Sequence, residues 1–151
     1  MKKLFLYIIV FLLLGSLGGF FTAPAIPVWY ASLAKPSFNP PNYIFGPVWS
    51  VLYMMLGVYY WSISRISTPG GKQLKVFFWL QFALNMLWTP VFFGLHSIAG
   101  GLIVILLLDI SVGTLLLLTY KYAKKSSLLL APYFMWLLFA TLLNFEIYLL
   151  N

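Results

Sequence analysis

Five apolar runs dominate the sequence, and each is long enough to cross a lipid bilayer as a helix. They cover residues of about 4–21, 43–64, 76–95, 98–119 and 128–150. A transmembrane helix needs an apolar run of about 18–25 residues. Only 7% of the residues are charged, whereas a soluble domain carries roughly 25%. The sequence therefore predicts an all-α integral membrane bundle of five helices, with residues 1–151 forming a single domain.

The basic residues are distributed unequally between the two ends of the predicted helices. Eight of the nine share one face if the chain begins in the cytoplasm: Lys2, Lys3, Arg65, Lys72, Lys75, Lys121, Lys124 and Lys125. Lys35 lies on the opposite face. Because cytoplasmic loops carry an excess of Lys and Arg, the pattern predicts a cytoplasmic membrane protein with its N-terminus inside and its C-terminus outside. The net charge of +7 follows from this topology, and we expect no nucleic-acid partner.

The N-terminal segment also has some features of a secretory signal. It begins with two lysines and ends with Ala23-Pro24-Ala25, which resembles a cleavage site. Its apolar run, however, reaches about 18 residues, beyond the usual 7–15, and Pro24 lies inside the triplet. We interpret the segment as a retained membrane span.

The predicted loop at residues 22–42 is unusually long and rich in proline and aromatic residues. Loops of this length are usually functional or disordered, and disordered segments contain few aromatic residues. Pro27 favours a short helix over VWYASLA, which Lys35-Pro36 would end. Two interpretations follow: an aromatic belt at the lipid headgroups, or a stiff lid over the outer end of the bundle.

Three of the predicted helices carry aromatic and hydrogen-bonding residues on one face, because the spacings follow the helical repeat. The stripes are Trp49, Tyr53, Leu56 and Tyr60 in the second helix, Gln81, Asn85, Trp88 and Phe92 in the third, and Tyr133, Trp136, Ala140 and Asn144 in the fifth. Such stripes serve either helix packing or a mostly apolar ligand pocket with a few polar groups. A lid needs something to cover, and Ala140 leaves room among bulky neighbours. The residues therefore favour a binder or carrier of a flat, apolar ligand.

The sequence contains no recognisable catalytic constellation. The two carboxylates, Asp109 and Glu146, lie on different predicted helices, and no triad, phosphate-binding loop or metal-ligand cluster is visible. We expect no metal and no cofactor, and we interpret the single histidine, His96, as an interfacial residue. Asp109 lies near the middle of its helix, where an ionised carboxylate is costly. It is either a hydrogen-bonded structural residue or a proton-relay group.

Four segments resemble the motifs of the TspO/MBR family, the tryptophan-rich sensory and translocator proteins also called peripheral benzodiazepine receptors. They are WYxxLxKPxFxPP at 29–41, FGPVWxxLY at 45–53, QxxLNxxWTPxFFG at 81–94 and PYxxWxxFAxxLN at 132–144. The four motifs occur in the family's order and extend over nearly the whole chain. The resemblance implies a fold of five helices, commonly a homodimer.

The resemblance also implies a function and a site. Members of this family bind porphyrins, notably protoporphyrin IX, and synthetic benzodiazepine- or isoquinoline-type ligands beneath the first loop, which favours the lid interpretation. The residues that the motifs assign to ligand binding are Tyr30, Pro40, Trp49, Tyr53, Asn85, Trp88, Phe92, Trp136, Phe139 and Ala140. Some members promote light- and oxygen-dependent porphyrin breakdown, for which Trp49 and Trp136 are the matching candidates.

The predicted function is a membrane-embedded porphyrin-binding protein that handles tetrapyrroles. Two alternatives remain: an enzyme-like porphyrin degradation, and a proton-coupled transporter that uses Asp109. The cholesterol motif of animal members is not matched, because Phe145 and Leu149 occupy the positions of its tyrosine and arginine. We therefore expect no steroid transport.

Overall fold

The structure, a computed structural model, describes residues 2–151. It contains six α-helices and two short π-helical turns. The elements are α1 (Lys2–Ser16), α2 (Gly19–Ala25), a first π turn (Ile26–Tyr30), α3 (Asn42–Ser64), α4 (Pro69–Thr89), a second π turn (Pro90–Gly94), α5 (Ile98–Tyr122) and α6 (Lys124–Leu150). Together they make five helical segments that are long and apolar enough to cross a membrane. The predicted five-helix membrane bundle is thus confirmed.

The five segments alternate in direction and enclose a central space. α1 packs against α3, α3 against α6, α6 against α5 and α5 against α4, and α2 closes the ring by contacting the second π turn. We call the end where α1 and α6 begin the basic end. The opposite end, where the 31–41 connection joins the first segment to α3, is the loop end.

The first membrane segment is longer than predicted. It runs from Lys2 to Tyr30, past the expected end near residue 21, so the expected loop at 22–42 shrinks to residues 31–41. Pro24 lies inside α2, and Pro27 lies in the first π turn. Proline lacks the N–H that an interior helical position donates, but the altered hydrogen bonding of a π turn accommodates it. The short helix expected after Pro27 is therefore a continuation of the first segment.

The ends of the other segments follow familiar capping chemistry. Thr68 caps α4, because its hydroxyl accepts a hydrogen bond from the Gly71 N–H at 3.3 Å, and Pro69 takes the first helical position. Ser97 caps α5 in the same way through the Gly100 N–H at 3.1 Å. α4 thus begins well before the predicted residue 76.

The basic-end half of the bundle is tightly packed. Its core contains Phe11, Leu56, Tyr59, Ile63, Leu74, Phe78, Leu115 and Leu130, all almost completely buried. Phe11 contacts the ring of Phe78 edge-on with 5.2 Å between centroids, which joins α1 to α4. Side chains thus fill the interior of this half of the bundle.

Candidate functional site

A cavity of about 510 Å³ occupies the loop-end half of the bundle. It lies between the first membrane segment, α3, α4 with the second π turn, and α6. No residue of α5 lines it among the residues that the structure describes. Small-molecule sites usually have volumes of about 300–1,000 Å³. The cavity therefore has the size of a ligand site, whereas a packing defect would be far smaller.

Most of the residues that the sequence motifs assign to ligand binding meet at this cavity. Those that line it are Tyr30, Trp49, Tyr53, Asn85, Trp88, Phe92 and Ala140. They come from all four walls, and their positions in sequence span more than a hundred residues. The stripes that helical spacing predicts on α3 and α4 thus both face this cavity, through the residues in the loop-end half of each helix.

Three predicted ligand contacts lie outside the wall. Pro40 lies in the 31–41 connection, and Trp136 and Phe139 are half-buried on another face of α6. Trp136 contacts Phe45 of α3 edge-on at 6.0 Å between centroids, and it contacts Phe139 at 5.4 Å. The face of α6 that reaches the cavity instead carries Ala140, Leu143, Asn144 and Ile147. A role for Pro40, Trp136 and Phe139 in ligand binding stays a prediction.

A series of buried hydrogen bonds starts from Tyr53 and Asn85 in the cavity wall. The Tyr53 hydroxyl donates to Asn85 Oδ1 at 2.7 Å, and Asn85 Nδ2 donates to the Tyr133 hydroxyl at 3.1 Å. Tyr133 in turn donates to Gln81 Oε1 at 2.8 Å, while Gln81 Nε2 has no partner among residues 2–151. Buried polar groups are costly unless paired. This series of hydrogen bonds therefore links α3, α4 and α6 at one fixed register.

The side wall is built from stacked and hydrogen-bonded aromatic rings. Trp88 stacks on Phe92 with 5.1 Å between ring centroids, and its indole N–H donates to Asn144 Oδ1 at 3.2 Å. Asn144 Nδ2 donates to the Ile98 carbonyl at 3.1 Å. On the opposite wall Trp49 stacks on Tyr53 at 5.7 Å. These contacts fix the orientation of the rings, so the cavity presents flat apolar faces.

The first membrane segment supplies a wall that the sequence did not predict. It contributes mostly small residues, namely Gly15, Ser16, Gly18, Gly19, Thr22 and Ala23. A Cβ added to Gly19 would meet no atom within 4 Å, because this position borders open space. A concentration of small residues in the sequence could have indicated this wall. However, the Gly15–Gly19 pair is equally typical of a helix–helix contact.

The connection at the loop end is held by several hydrogen bonds. Asn151 pairs with the backbone of Ala34 through two bonds of 3.0 Å each. The Lys35 ammonium donates to the carbonyls of Tyr30 at 2.6 Å and Leu33 at 2.9 Å. The Tyr30 hydroxyl donates to Asn39 Oδ1 at 2.9 Å. The connection is thus tied to the C-terminus and to the cavity wall, as a stiff lid requires.

Asp109 and His96 both lie away from the cavity. The Thr141 hydroxyl donates to Asp109 Oδ2 at 2.7 Å, which joins α5 to α6 and agrees with a structural role for this carboxyl group. His96 has a positive φ of 52° at the tight turn before α5, and its ring stacks on Trp29 with 4.6 Å between centroids. Within residues 2–151 no cluster of His, Asp and Glu could hold a metal ion.

Comparison with known proteins decides the family. The model of the TspO/MBR family matches residues 7–150. The chain belongs to the TspO/MBR family. The predicted family is thereby confirmed, and the chain is an integral membrane protein with five helical spans.

Relatives in this family come from archaea, bacteria and animals. The chain is 43% identical to the tryptophan-rich protein TspO of Archaeoglobus fulgidus, over 99% of this chain and 97% of that protein. It is 40% identical to the protein CrtK of Rhodobacter capsulatus, over 91% and 85% of the two chains. It is 37% identical to the human translocator protein, over 78% and 71%. The chain aligns with most of the length of each of these TspO/MBR relatives.

Proposed function

We propose that the protein binds porphyrins, protoporphyrin IX foremost, in the loop-end cavity and takes part in tetrapyrrole handling in the membrane. The observation that carries this proposal is a cavity of about 510 Å³ walled by the rings of Trp49, Tyr53, Trp88 and Phe92. A porphyrin is a flat, apolar macrocycle, and flat rings offer it stacking contacts on several sides. Flat synthetic ligands of the benzodiazepine and isoquinoline type fit the same chemistry.

The polarity of the cavity supports a ligand with an apolar body and a polar edge. No charged side chain lines it among the described residues, and the hydroxyls of Ser16 and Ser50 bond to their own helix backbone. The mouth is formed in part by exposed Asn42 and Tyr43. A porphyrin would therefore place its macrocycle inside and its two carboxylates at this mouth, where water is available.

The topology proposed for this function follows the charge distribution. Eight basic residues lie beside helix ends at the basic end, and Lys35 alone lies at the loop end. With the basic end in the cytoplasm, the cavity occupies the outer half of a cytoplasmic membrane, with the N-terminus inside and the C-terminus outside. A homodimer, as the family resemblance implies, is part of the same proposal.

Light- and oxygen-dependent breakdown of the bound porphyrin is the second candidate function. It is favoured by Trp49 and Trp88, two oxidisable indoles that line the cavity directly. Breakdown predicts that the porphyrin spectrum is lost under light in the unmodified protein, and that Trp49→Phe stops this loss while it still binds porphyrin. Trp136→Phe tests the other candidate tryptophan in the same way. The proton-coupled transport hypothesis relies on Asp109, which lies outside the cavity and pairs with Thr141.

Filling the cavity tests the proposed function directly. Ala140→Phe adds a ring to a buried residue in the cavity wall, whereas Ala99→Phe makes the same change at an exposed position of α5. Porphyrin titration of the protein in nanodiscs, followed by the Soret absorbance in the dark, measures the affinity. We expect Ala140→Phe to weaken binding about tenfold, a loss of about 1.4 kcal/mol, because the added ring occupies space that the ligand needs. Ala99→Phe should bind normally. Equal affinities in both variants would contradict a site in this cavity.

A further inference from the structure

A second cavity opens at the basic end of the bundle. It is separate from the loop-end cavity walled by aromatic rings, which we call the aromatic cavity. It has a volume of about 670 Å³. Its lining residues are Lys2, Lys3, Tyr7, Trp61, Ser64 and Arg65. They belong to the first two turns of α1 and to the last turn of α3 with the residue that follows it, so two distant parts of the sequence meet here.

Close packing of α1 on α3 brings these residues together. A Cβ added to Gly57 would come within 2.8 Å of the Ile8 backbone, so the two helices touch at a position that only glycine allows. Tyr7, beside Ile8, packs edge-on against the ring of Tyr60 with 5.1 Å between centroids. The contact lies about two helical turns from the end of α3, and it sets the separation of Lys2 and Lys3 from Arg65.

The cavity concentrates positive charge that no carboxylate neutralises. The chain has only two acidic side chains, Asp109 and Glu146. Asp109 lies midway along α5, and Glu146 lies in the last turns of α6, at the loop end. Within the described part of the chain, therefore, the charges of Lys2, Lys3 and Arg65 face water or a ligand from outside the protein.

One of these cations is already oriented by an aromatic ring. The Arg65 guanidinium lies over the Trp61 ring, 5.0 Å from its centroid, which is a cation–π contact. The Ser64 hydroxyl donates to the Trp61 carbonyl at 2.8 Å and holds this last turn of α3 together. A guanidinium held in this way presents its planar fork of donors, which matches phosphate oxygens in pairs.

We propose that this cavity binds the phosphate of an anionic phospholipid headgroup. Arg65 would contact two phosphate oxygens, and Lys2 and Lys3 would add charge from the opposite side. The ends of membrane helices lie at headgroup depth, where the amphipathic rings of Trp61 and Tyr7 are also favourable. Basic pockets between membrane helices on the cytoplasmic side are suited to such headgroups. This site is independent of the porphyrin proposal, because the two cavities share no residue.

Two matched triple variants test the proposal. The first is Lys2→Gln/Lys3→Gln/Arg65→Gln, which removes the three charges of the cavity. The second is Lys121→Gln/Lys124→Gln/Lys125→Gln, which removes three charges from the same end outside it. Each variant keeps five basic residues at the basic end, so the charge asymmetry that sets topology is equal. Native mass spectrometry from a neutral detergent measures bound phosphatidylglycerol, with phosphatidylcholine as the zwitterionic lipid and inorganic phosphate as the free anion.

The proposal predicts one tightly bound phosphatidylglycerol per chain in the unmodified protein and in the second variant. In the first variant we expect its affinity to fall on the order of a hundredfold, because three basic residues are removed and each contributes about fivefold near an anionic surface. Equal weakening in both variants would overturn the site in favour of diffuse attraction. Equal binding of phosphatidylcholine would overturn the requirement for an anionic lipid. If inorganic phosphate saturates the cavity and phosphatidylglycerol binds no more tightly than inorganic phosphate, the proposal that the ligand is a lipid would be overturned.

Discussion

Asn85 links three helices at the cavity through the hydrogen bonds of a single side chain. Its side chain accepts from Tyr53 on α3, donates to Tyr133 on α6 and borders the cavity. It is only 4% exposed, so water does not easily replace these partners. One amide thus sets the register of three helices at the cavity.

Replacing Asn85 tests this role at the level of a single side chain. Asn85→Leu keeps the branching of the side chain at Cγ but leaves the Tyr53 hydroxyl without its acceptor, and an unpaired buried group costs about 1–3 kcal/mol. Tyr53→Phe removes one of the two hydrogen bonds that Asn85→Leu removes, and a hydrogen bond in a membrane protein averages about 0.6 kcal/mol. We expect unfolding in a graded detergent mixture to show a larger loss of stability for Asn85→Leu. Equal stabilities for the unmodified protein and Asn85→Leu would contradict a structural role for the series of hydrogen bonds.

Single residues on α3 and α4 were predictable from spacing. Those on α6 were predictable only in part, because two of the four residues of its predicted stripe line the cavity, and the small residues of the first segment were not predicted. Trp49, Tyr53, Asn85, Trp88 and Phe92 recur at helical intervals, and the structure brings them to one cavity. On α6 the polar and aromatic residues extend over more than one face, so the spacing alone did not fix which face turns inward. The small residues of the first segment are mostly glycine and alanine, and such a composition is equally typical of a helix–helix contact.

At the scale of elements, the prolines shape the loop end of the bundle. Pro27 and Pro90 each lie in a π turn, at the ends of the first segment and of α4. The first segment was predicted to end too early because its apolar run stops near residue 21, before Pro24 and Pro27. Inside a membrane a helix continues through proline when a local change in hydrogen bonding compensates. The number of spans was thus predictable, but their exact ends were not.

The 31–41 connection should lose order when its tie to the C-terminus is removed. Asn151→Ala deletes both hydrogen bonds to the Ala34 backbone, and Ser37→Ala changes an exposed residue of the same connection. We expect hydrogen–deuterium exchange in the peptide covering residues 31–41 to become several-fold faster in Asn151→Ala. In Ser37→Ala the exchange should match that of the unmodified protein. Unchanged exchange in Asn151→Ala would show that the connection is ordered by other contacts.

At the scale of the whole molecule, the two ends of the bundle differ in packing and in charge. The interior of the basic-end half is filled by large buried side chains, and this end carries eight basic residues. The loop end encloses the aromatic cavity and carries a single basic residue, Lys35. The proposed topology, with the basic end in the cytoplasm, would place the cavity in the outer half of the membrane.

The absence of cysteine from the sequence makes this orientation simple to measure. Ser67→Cys places a thiol in the exposed turn between α3 and α4 at the basic end, and Ser37→Cys places one at the loop end. In intact cells a membrane-impermeant maleimide should label Ser37→Cys and leave Ser67→Cys unlabelled until the membrane is permeabilised. The reverse pattern would mean that the N-terminus lies outside.

Porphyrin binding in the aromatic cavity is the central claim, and quenching of tryptophan fluorescence tests it most directly. Protoporphyrin IX is titrated in the dark into the protein in nanodiscs, beside a Trp49→Phe variant, a matched Trp61→Phe variant outside the aromatic cavity, and an unrelated membrane protein. We predict saturation near one porphyrin per chain and an affinity roughly threefold weaker in Trp49→Phe only, since an aromatic contact contributes about 0.5–1.5 kcal/mol. Quenching that rises linearly and equals that of the unrelated protein would contradict the claim, because the porphyrin would then only be dissolved in lipid.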